Sequence, residues 1–165
     1  MNKRLAVCPG TFDPITNGHI DIIKRAVFIY EQVIVAVVKK PSKNEFFPYD
    51  QRISLVKEST KDIKGVSVKG FSGLVVDFAR KEGSRVIVRG LRMISDFEYE
   101  FQMALTNRSL CPDVETTFLM PHPEYSFISS RLIKEAVFLG ADLKKFLPQP
   151  VLKALKERIK NEGSC

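Results

Sequence analysis

The run Val33-Ile34-Val35-Ala36-Val37-Val38 limits what this chain can become more than any other stretch. Six apolar residues in a row, most of them β-branched, suit a strand. A strand with one wet face would alternate, and a membrane span would need about 20 such residues. An unbroken apolar strand is expected where helices cover both faces of a parallel sheet. Leu5 to Cys8, Val66 to Val68, Val86 to Val88 and Thr116 to Met120 are shorter runs that also read as strands.

Helical patterns fill the gaps between these runs. From Gly18 to Tyr30 the apolar residues Ile22, Ile23, Ala26, Val27 and Tyr30 recur at helical spacing. A helix over Asp50 to Lys61 follows Pro48, which suits a helix start. Leu74 to Glu82 is predicted to end at Gly83, a natural C-cap. Ser95 and Glu98 have the spacing of a capping box, which predicts a helix from there to Asn107. Ser129 to Leu139 should stop before Gly140, and a last helix should follow Pro150 to Lys160. Strand and helix thus alternate five times, with an extra helix at the end. That order predicts an α/β fold: one doubly wound, Rossmann-like domain over residues 1–165 with a five-stranded parallel sheet and a C-terminal helix. A chain of 165 residues, 44% hydrophobic, can cover such a sheet.

The formal net charge of +7 favours polyanionic partners, among them nucleic acid, anionic lipid and nucleotide phosphates. The charge is dispersed, however. No stripe of basic residues interleaved with aromatics marks a nucleic-acid surface, so no nucleic-acid partner is expected. The cysteines, Cys8, Cys111 and Cys165, are odd in number and widely spaced. They read as reduced thiols of a cytoplasmic protein, with no metal-ligand pair. No secretory signal or bilayer-spanning run is visible, and no membrane partner is expected.

In doubly wound folds ligands bind beyond the C-terminal ends of the strands. The unusual residues of this chain cluster after its strands. They are Pro9-Gly10-Thr11-Phe12-Asp13-Pro14 with Thr16-Asn17-Gly18-His19, Pro41-Ser42-Lys43, Phe71-Ser72-Gly73-Leu74, Arg89-Gly90-Leu91-Arg92 and Tyr125-Ser126-Phe127-Ile128-Ser129-Ser130-Arg131. Hydroxyls, arginines, a lysine and a histidine collect at one rim with few acids, a combination suited to phosphate. Gly18 sits where a helix begins, and the free N–H groups of a helix N-terminus attract anions. His19 projects from the first turn of that helix. By itself, a histidine there is more often a cap or a surface residue than a phosphate donor.

Thr16-Asn17-Gly18-His19 after Pro9-Gly10-Thr11-Phe12-Asp13-Pro14 resembles the first signature of the nucleotidylyltransferase superfamily. Ile128-Ser129-Ser130 resembles the second. Pro41-Ser42-Lys43, Arg89-Gly90-Leu91-Arg92, Asp96-Phe97-Glu98-Tyr99-Glu100 and Tyr125 to Ser130 narrow the likeness to the bacterial phosphopantetheine adenylyltransferases, over nearly the whole chain. The resemblance implies transfer of AMP from ATP to 4′-phosphopantetheine. His19, Thr11, Lys43 and Arg89 would be the catalytic group. Thr11, Lys43, Val75 and Arg89 would hold the acceptor, with Val75 on the pantetheine arm. Thr11, Phe12, His19, Gly90, Leu91, Arg92, Glu100 and the segment Tyr125, Ser126, Phe127, Ile128, Ser129, Ser130, Arg131 would form the ATP site. Mg²⁺ would arrive on the ATP phosphates with no protein ligand. Feedback binding of coenzyme A and assembly as a homohexamer are likewise implied.

Three positions depart from the family pattern. Cys8 precedes Pro9 where an aromatic or aliphatic residue is common, and is expected to be buried and inert. Arg131 replaces a small hydroxyl residue, which leaves open whether it faces phosphate or solvent. His122-Pro123 is also unusual. The rival readings are another nucleotidylyltransferase, acting on nicotinamide mononucleotide or a cytidylyl acceptor; a class I aminoacyl-tRNA synthetase, which shares the first motif but needs room for an anticodon domain; and a basic nucleic-acid-binding module.

Overall fold

A computed structural model describes residues 2–40 and 45–162. Five strands, β1 (Asn2–Gly10), β2 (Gln32–Val38), β3 (Val66–Phe71), β4 (Ser84–Gly90) and β5 (Glu115–Leu119), form one sheet in the order β3-β2-β1-β4-β5. Every pairing is parallel. The helices are α1 (Asn17–Tyr30), α2 (Tyr49–Thr60), α3 (Val75–Lys81), α4 (Ile94–Leu110), α5 (Ser130–Phe138) and α6 (Gln149–Glu162), with a 3₁₀ turn at Pro123–Tyr125. The doubly wound arrangement expected from the sequence is present, and the strand order reverses direction at β1.

The apolar run in β2 is explained by two separate cores. Val33, Val35 and Val37 face one side, where Ile22 and Ile23 of α1, Leu55 and Val56 of α2, and Val151 and Leu155 of α6 meet them. Ile34 and Ala36 face the other side, against Val76 and Ala79 of α3 together with Cys111 and Val114. Because successive side chains alternate faces, a strand covered on both sides must be apolar at every position. Gly83 and Gly140 follow α3 and α5 with φ of 78° and 77°, the left-handed conformation that ends a helix most easily at glycine.

One cap is misplaced by the sequence reading. The residue that caps α4 is Met93, which makes no side-chain cap bond, and the helix starts at Ile94. Ser95 is therefore already inside the helix, so the expected Ser95–Glu98 capping box does not form its N-terminus. The capping box that does form lies elsewhere, at α1.

Candidate active site

The C-terminal ends of β1 and β4 and the N-terminal ends of α1 and α5 enclose a cavity of about 500 Å³. That volume suits a small-molecule ligand. The first wall is the turn from β1 into α1. Phe12 is buried at φ 50°, a conformation that non-glycine residues adopt sparingly. Its ring lies over Gly10, where an added Cβ would come within 2.9 Å of ring carbons. The same ring meets the His19 imidazole edge-on, with centroids 5.2 Å apart. The Asp13 carboxylate is buried beneath the turn. It accepts N–H bonds from Phe46 at 2.7 Å and Phe47 at 2.8 Å, and the Lys134 ammonium lies 3.2 Å away.

His19 is held by a capping box in which histidine takes the place usual for Glu or Gln. Thr16 Oγ1 accepts the His19 backbone N–H at 3.3 Å, and His19 Nδ1 accepts the Thr16 backbone N–H at 3.0 Å. A backbone amide can only donate, so Nδ1 carries no proton and the neutral ring is protonated at Nε2. Burial lowers the His19 pKa, and the charges of Arg92 and then Arg89 lower it further, to about 4. The cavity therefore contains a neutral imidazole with one N–H to donate.

Arg89 closes β4. Its guanidinium grips Glu100 of α4 in a bidentate pair, with Nε to Oε2 at 2.8 Å, and donates from Nη1 to Pro9 O at 2.7 Å. Burial disfavours the charge on Arg89, but the hydrogen bond and charge of Glu100 more than offset it and raise its pKa above the ordinary value. Arg92 ties α4 to the far wall. Its Nε meets Asp96 at 3.1 Å and its Nη1 donates to Ile128 O at 2.7 Å. The far wall is the start of α5. Ser129 caps the helix by accepting the Leu132 N–H, and the Ser130 hydroxyl donates to Pro14 O at 2.8 Å across the cavity. Cys8 is buried among these residues. Burial, opposed by the charge of Arg89, pushes its thiol up to about 11, so it stays protonated and unreactive.

A smaller cavity of about 230 Å³ adjoins the first through Gly10, Thr11, Arg89 and Tyr99. Its walls are mostly apolar: Val38, Phe71, Val75, Ile87 and Met103.

The cytidylyltransferase-like family matches residues 7–136, a span that holds the C-terminal end of β1, all of α1, β4 and α4, and most of α5. A phosphopantetheine adenylyltransferase of Alkaliphilus metalliredigens is 50% identical over 155 residues, covering 94% of this chain and 99% of its own. Its counterpart from Ralstonia pickettii is 53% identical over 161 residues, 97% of this chain and 96% of its own. The chain belongs to the phosphopantetheine adenylyltransferase family, within the cytidylyltransferase-like group. A solved structure from Vibrio parahaemolyticus, assigned as a nicotinate-nucleotide adenylyltransferase, superposes with a TM-score of 0.69 over 94% of this chain and 99% of its own. At 18% identity it shares the fold.

In this family member the structure brings Thr11, Phe12, His19, Arg89, Gly90, Arg92, Glu100, Ile128, Ser129, Ser130 and Arg131 onto the larger cavity. Val75 lies on the smaller one. Other candidates from the sequence stand back from both walls. The Leu91 N–H donates to Leu119 O, Tyr125 closes a 3₁₀ turn beside Gly18, and the Ser126 hydroxyl donates to Pro123 O. Phe127 packs edge-on against Phe146. Ile128 reaches the site with its carbonyl while its side chain is buried in the core. The Arg131 side chain borders the larger cavity, is 89% exposed and pairs with Glu135. Lys43, with Pro41 and Ser42, lies outside the described residues.

The sequence reading passed over Asp13, Thr16, Lys134 and Arg52 as site residues. Thr16 was findable as an N-cap three residues before His19. Lys134 stands one helical turn after Ser130, on the same side of α5. Arg52 precedes Leu55 and Val56 at i+3 and i+4, which puts a charge in an apolar stripe.

Proposed function

We propose that this chain transfers the adenylyl group of ATP to 4′-phosphopantetheine, yielding dephospho-coenzyme A and pyrophosphate. The observation that carries this reading is that His19, Arg89 and Arg92 face one cavity at the C-terminal rim of the sheet, opposite the N-terminus of α5. The names and extents of its relatives support it.

An acceptor phosphate is already a nucleophile. One of its oxygens forms a bond to the α-phosphorus as the bond from that phosphorus to the pyrophosphate oxygen breaks. No strong base is required, and catalysis rests on positioning and charge stabilisation. His19 donates Nε2–H to an α-phosphate oxygen as charge gathers there. Thr11 stands between the two cavities and contacts both reactants, with Phe12 fixing its turn. Arg89 binds the acceptor phosphate, helped by Lys43, and Val75 borders the apolar chamber for the pantetheine arm. Gly90 and Arg92 border the nucleotide, with Leu91 behind them and Glu100 orienting Arg89. The segment from Tyr125 to Arg131 meets the nucleotide through Ile128 to Arg131, with Tyr125, Ser126 and Phe127 set back behind them, and Ser129 and Ser130 at the α5 N-terminus receive the β- and γ-phosphates.

Mg²⁺ enters on the nucleotide. The carboxylates around the cavity are committed to protein cations: Asp13 to Lys134, Glu100 to Arg89 and Asp96 to Arg92. Among the described residues no group of three or more His, Cys, Asp or Glu could hold a metal ion. These side chains do not fit a protein-ligated cation, and no step is assigned to one.

Among the described residues no helix is long and apolar enough to cross a membrane. The reading includes a cytoplasmic location, coenzyme A as a competing ligand of the same cavities, and a homohexamer. Exposed apolar residues along α4, among them Ile94, Phe97, Phe101 and Leu105, favour self-association. Light scattering checks the hexamer. Incubation with ATP, Mg²⁺ and 4′-phosphopantetheine should release pyrophosphate and dephospho-coenzyme A. Turnover of nicotinamide mononucleotide in place of that acceptor would overturn the acceptor assignment.

A further inference from the structure

The least expected side chain in the molecule is Arg52, which is fully buried on α2. Its guanidinium has five N–H donors, and the structure supplies five acceptors. Nε donates to Phe47 O at 3.1 Å. Nη1 donates to Thr11 O at 2.8 Å and to Val38 O at 2.9 Å. Nη2 reaches Lys39 O at 3.5 Å and Glu45 Oε1 at 2.9 Å. Burying a charge is unfavourable unless it is paired and fully hydrogen-bonded, and Arg52 meets both conditions. A residue needed only to fill this space could be apolar.

The acceptors come from separate parts of the chain: the turn after β1, the end of β2, and residues 45–47. They converge on one side of the site. Thr11 lines both cavities and Val38 lines the smaller, apolar one. Arg52 joins their two carbonyls through a single nitrogen and so sets the distance between these two walls. Its hydrogen-bond acceptors include no residue of α5 and neither Arg89 nor Arg92. We infer that Arg52 is a positioning residue for the acceptor half of the active site, holding the Thr11 turn at the end of β2 so that the apolar chamber keeps its width.

This rests on the acceptor reading above, so the unmodified protein is assayed first. If it fails to consume 4′-phosphopantetheine with ATP, that reading falls. If it turns over, Arg52→Lys tests the inference, because lysine keeps the charge but loses the fork that joins two carbonyls. Its KM for 4′-phosphopantetheine should rise about tenfold while the KM for ATP stays within about twofold. Val56→Ala, on the same helix and buried in the core away from both cavities, provides the comparison. It should lower the melting temperature and leave both KM values unchanged. Arg52→Lys behaving like Val56→Ala, or raising both KM values together, overturns the inference. Should Arg52→Lys fail to fold, Glu45→Gln is read instead. Glu45 is partly exposed, and its loss should raise the acceptor KM about threefold. An unchanged value overturns the inference.

Discussion

The turn after β1 and the segment leading into α5 face each other across one cavity, yet they are held in opposite ways. The first is tied at nearly every residue. Thr11 is fixed through its carbonyl by Arg52, Asp13 by two amides and an ammonium, and Thr16 by its exchange with His19. Phe12, Asp13 and Thr16 are all buried. The second is held by ties that are more exposed: the His122 N–H to Asp21 at 2.8 Å, Glu124 to Lys145 at 2.6 Å, and Phe127 edge-on to Phe146. Met120 and Phe127 are exposed, and Ser126 bonds only within its own turn. Two long contacts anchor its end, Arg92 to Ile128 O and Ser130 to Pro14 O. A transition-state donor has to be in place before the reaction, and dense hydrogen bonding pre-organises it. A wall that takes a base and a chain of phosphates, as the proposed reaction requires, can adapt as it fills. The contrast predicts large kinetic effects on the first side and small ones on the second.

The sharpest way to break the contrast is His19→Ala. Its kcat should fall ~10²-fold or more with ATP affinity retained, as for loss of one oxyanion donor. Rapid-quench kinetics with calorimetric ATP titration measures both, and normal turnover would remove the imidazole from the mechanism. Arg89→Ala follows. The acceptor KM should rise about tenfold, and the protein should lose on the order of 3 kcal/mol because Glu100 is left buried without its partner. Urea unfolding checks the stability and acceptor titration checks the KM.

A third effect comes from pH. The folded pKa of His19 is about 4, against an ordinary 6.5. Between these values the unfolded chain binds the proton more readily, so stability should be full above 6.5 and decline as pH falls toward 4. His19→Gln should flatten that part of the stability profile, as read from melting temperatures across the range. Ser130→Ala removes one hydroxyl bond, worth about 1 kcal/mol, and should raise the KM for ATP about threefold. Smallest of all, Arg131→Ala should change the KM for ATP less than about twofold, because its side chain pairs at the surface. A tenfold effect there would make the α5 wall as demanding as the β1 turn.

The sequence was most legible where local pattern and burial agree. The β2 run could only be a strand covered on both faces, and Gly83 and Gly140 marked real helix ends. It was less legible where a residue's partner is remote in sequence. Asp13 reads as a turn residue until Phe46, Phe47 and Lys134 surround it. Ser95 and Glu98 had the right spacing for a cap, yet α4 starts one residue before Ser95, because strand end and helix packing decide where the first turn begins. Tyr125, Ser126 and Phe127 belong to a motif by adjacency, but their neighbours His122, Pro123 and Phe146 hold them in a turn set back from the cavity wall.

What the sequence determined alone was the alternation of strands and helices and the chemistry gathered after the strands. Both follow from residue type and short-range spacing, since alternation, helical period and capping act over a few residues. Only the tertiary structure decided which side chains meet, which proton His19 carries, and that Arg52 spans two walls of the site. Those depend on contacts such as Arg52 to Thr11 and Ser130 to Pro14, 41 and 116 residues apart along the chain, which no local pattern encodes.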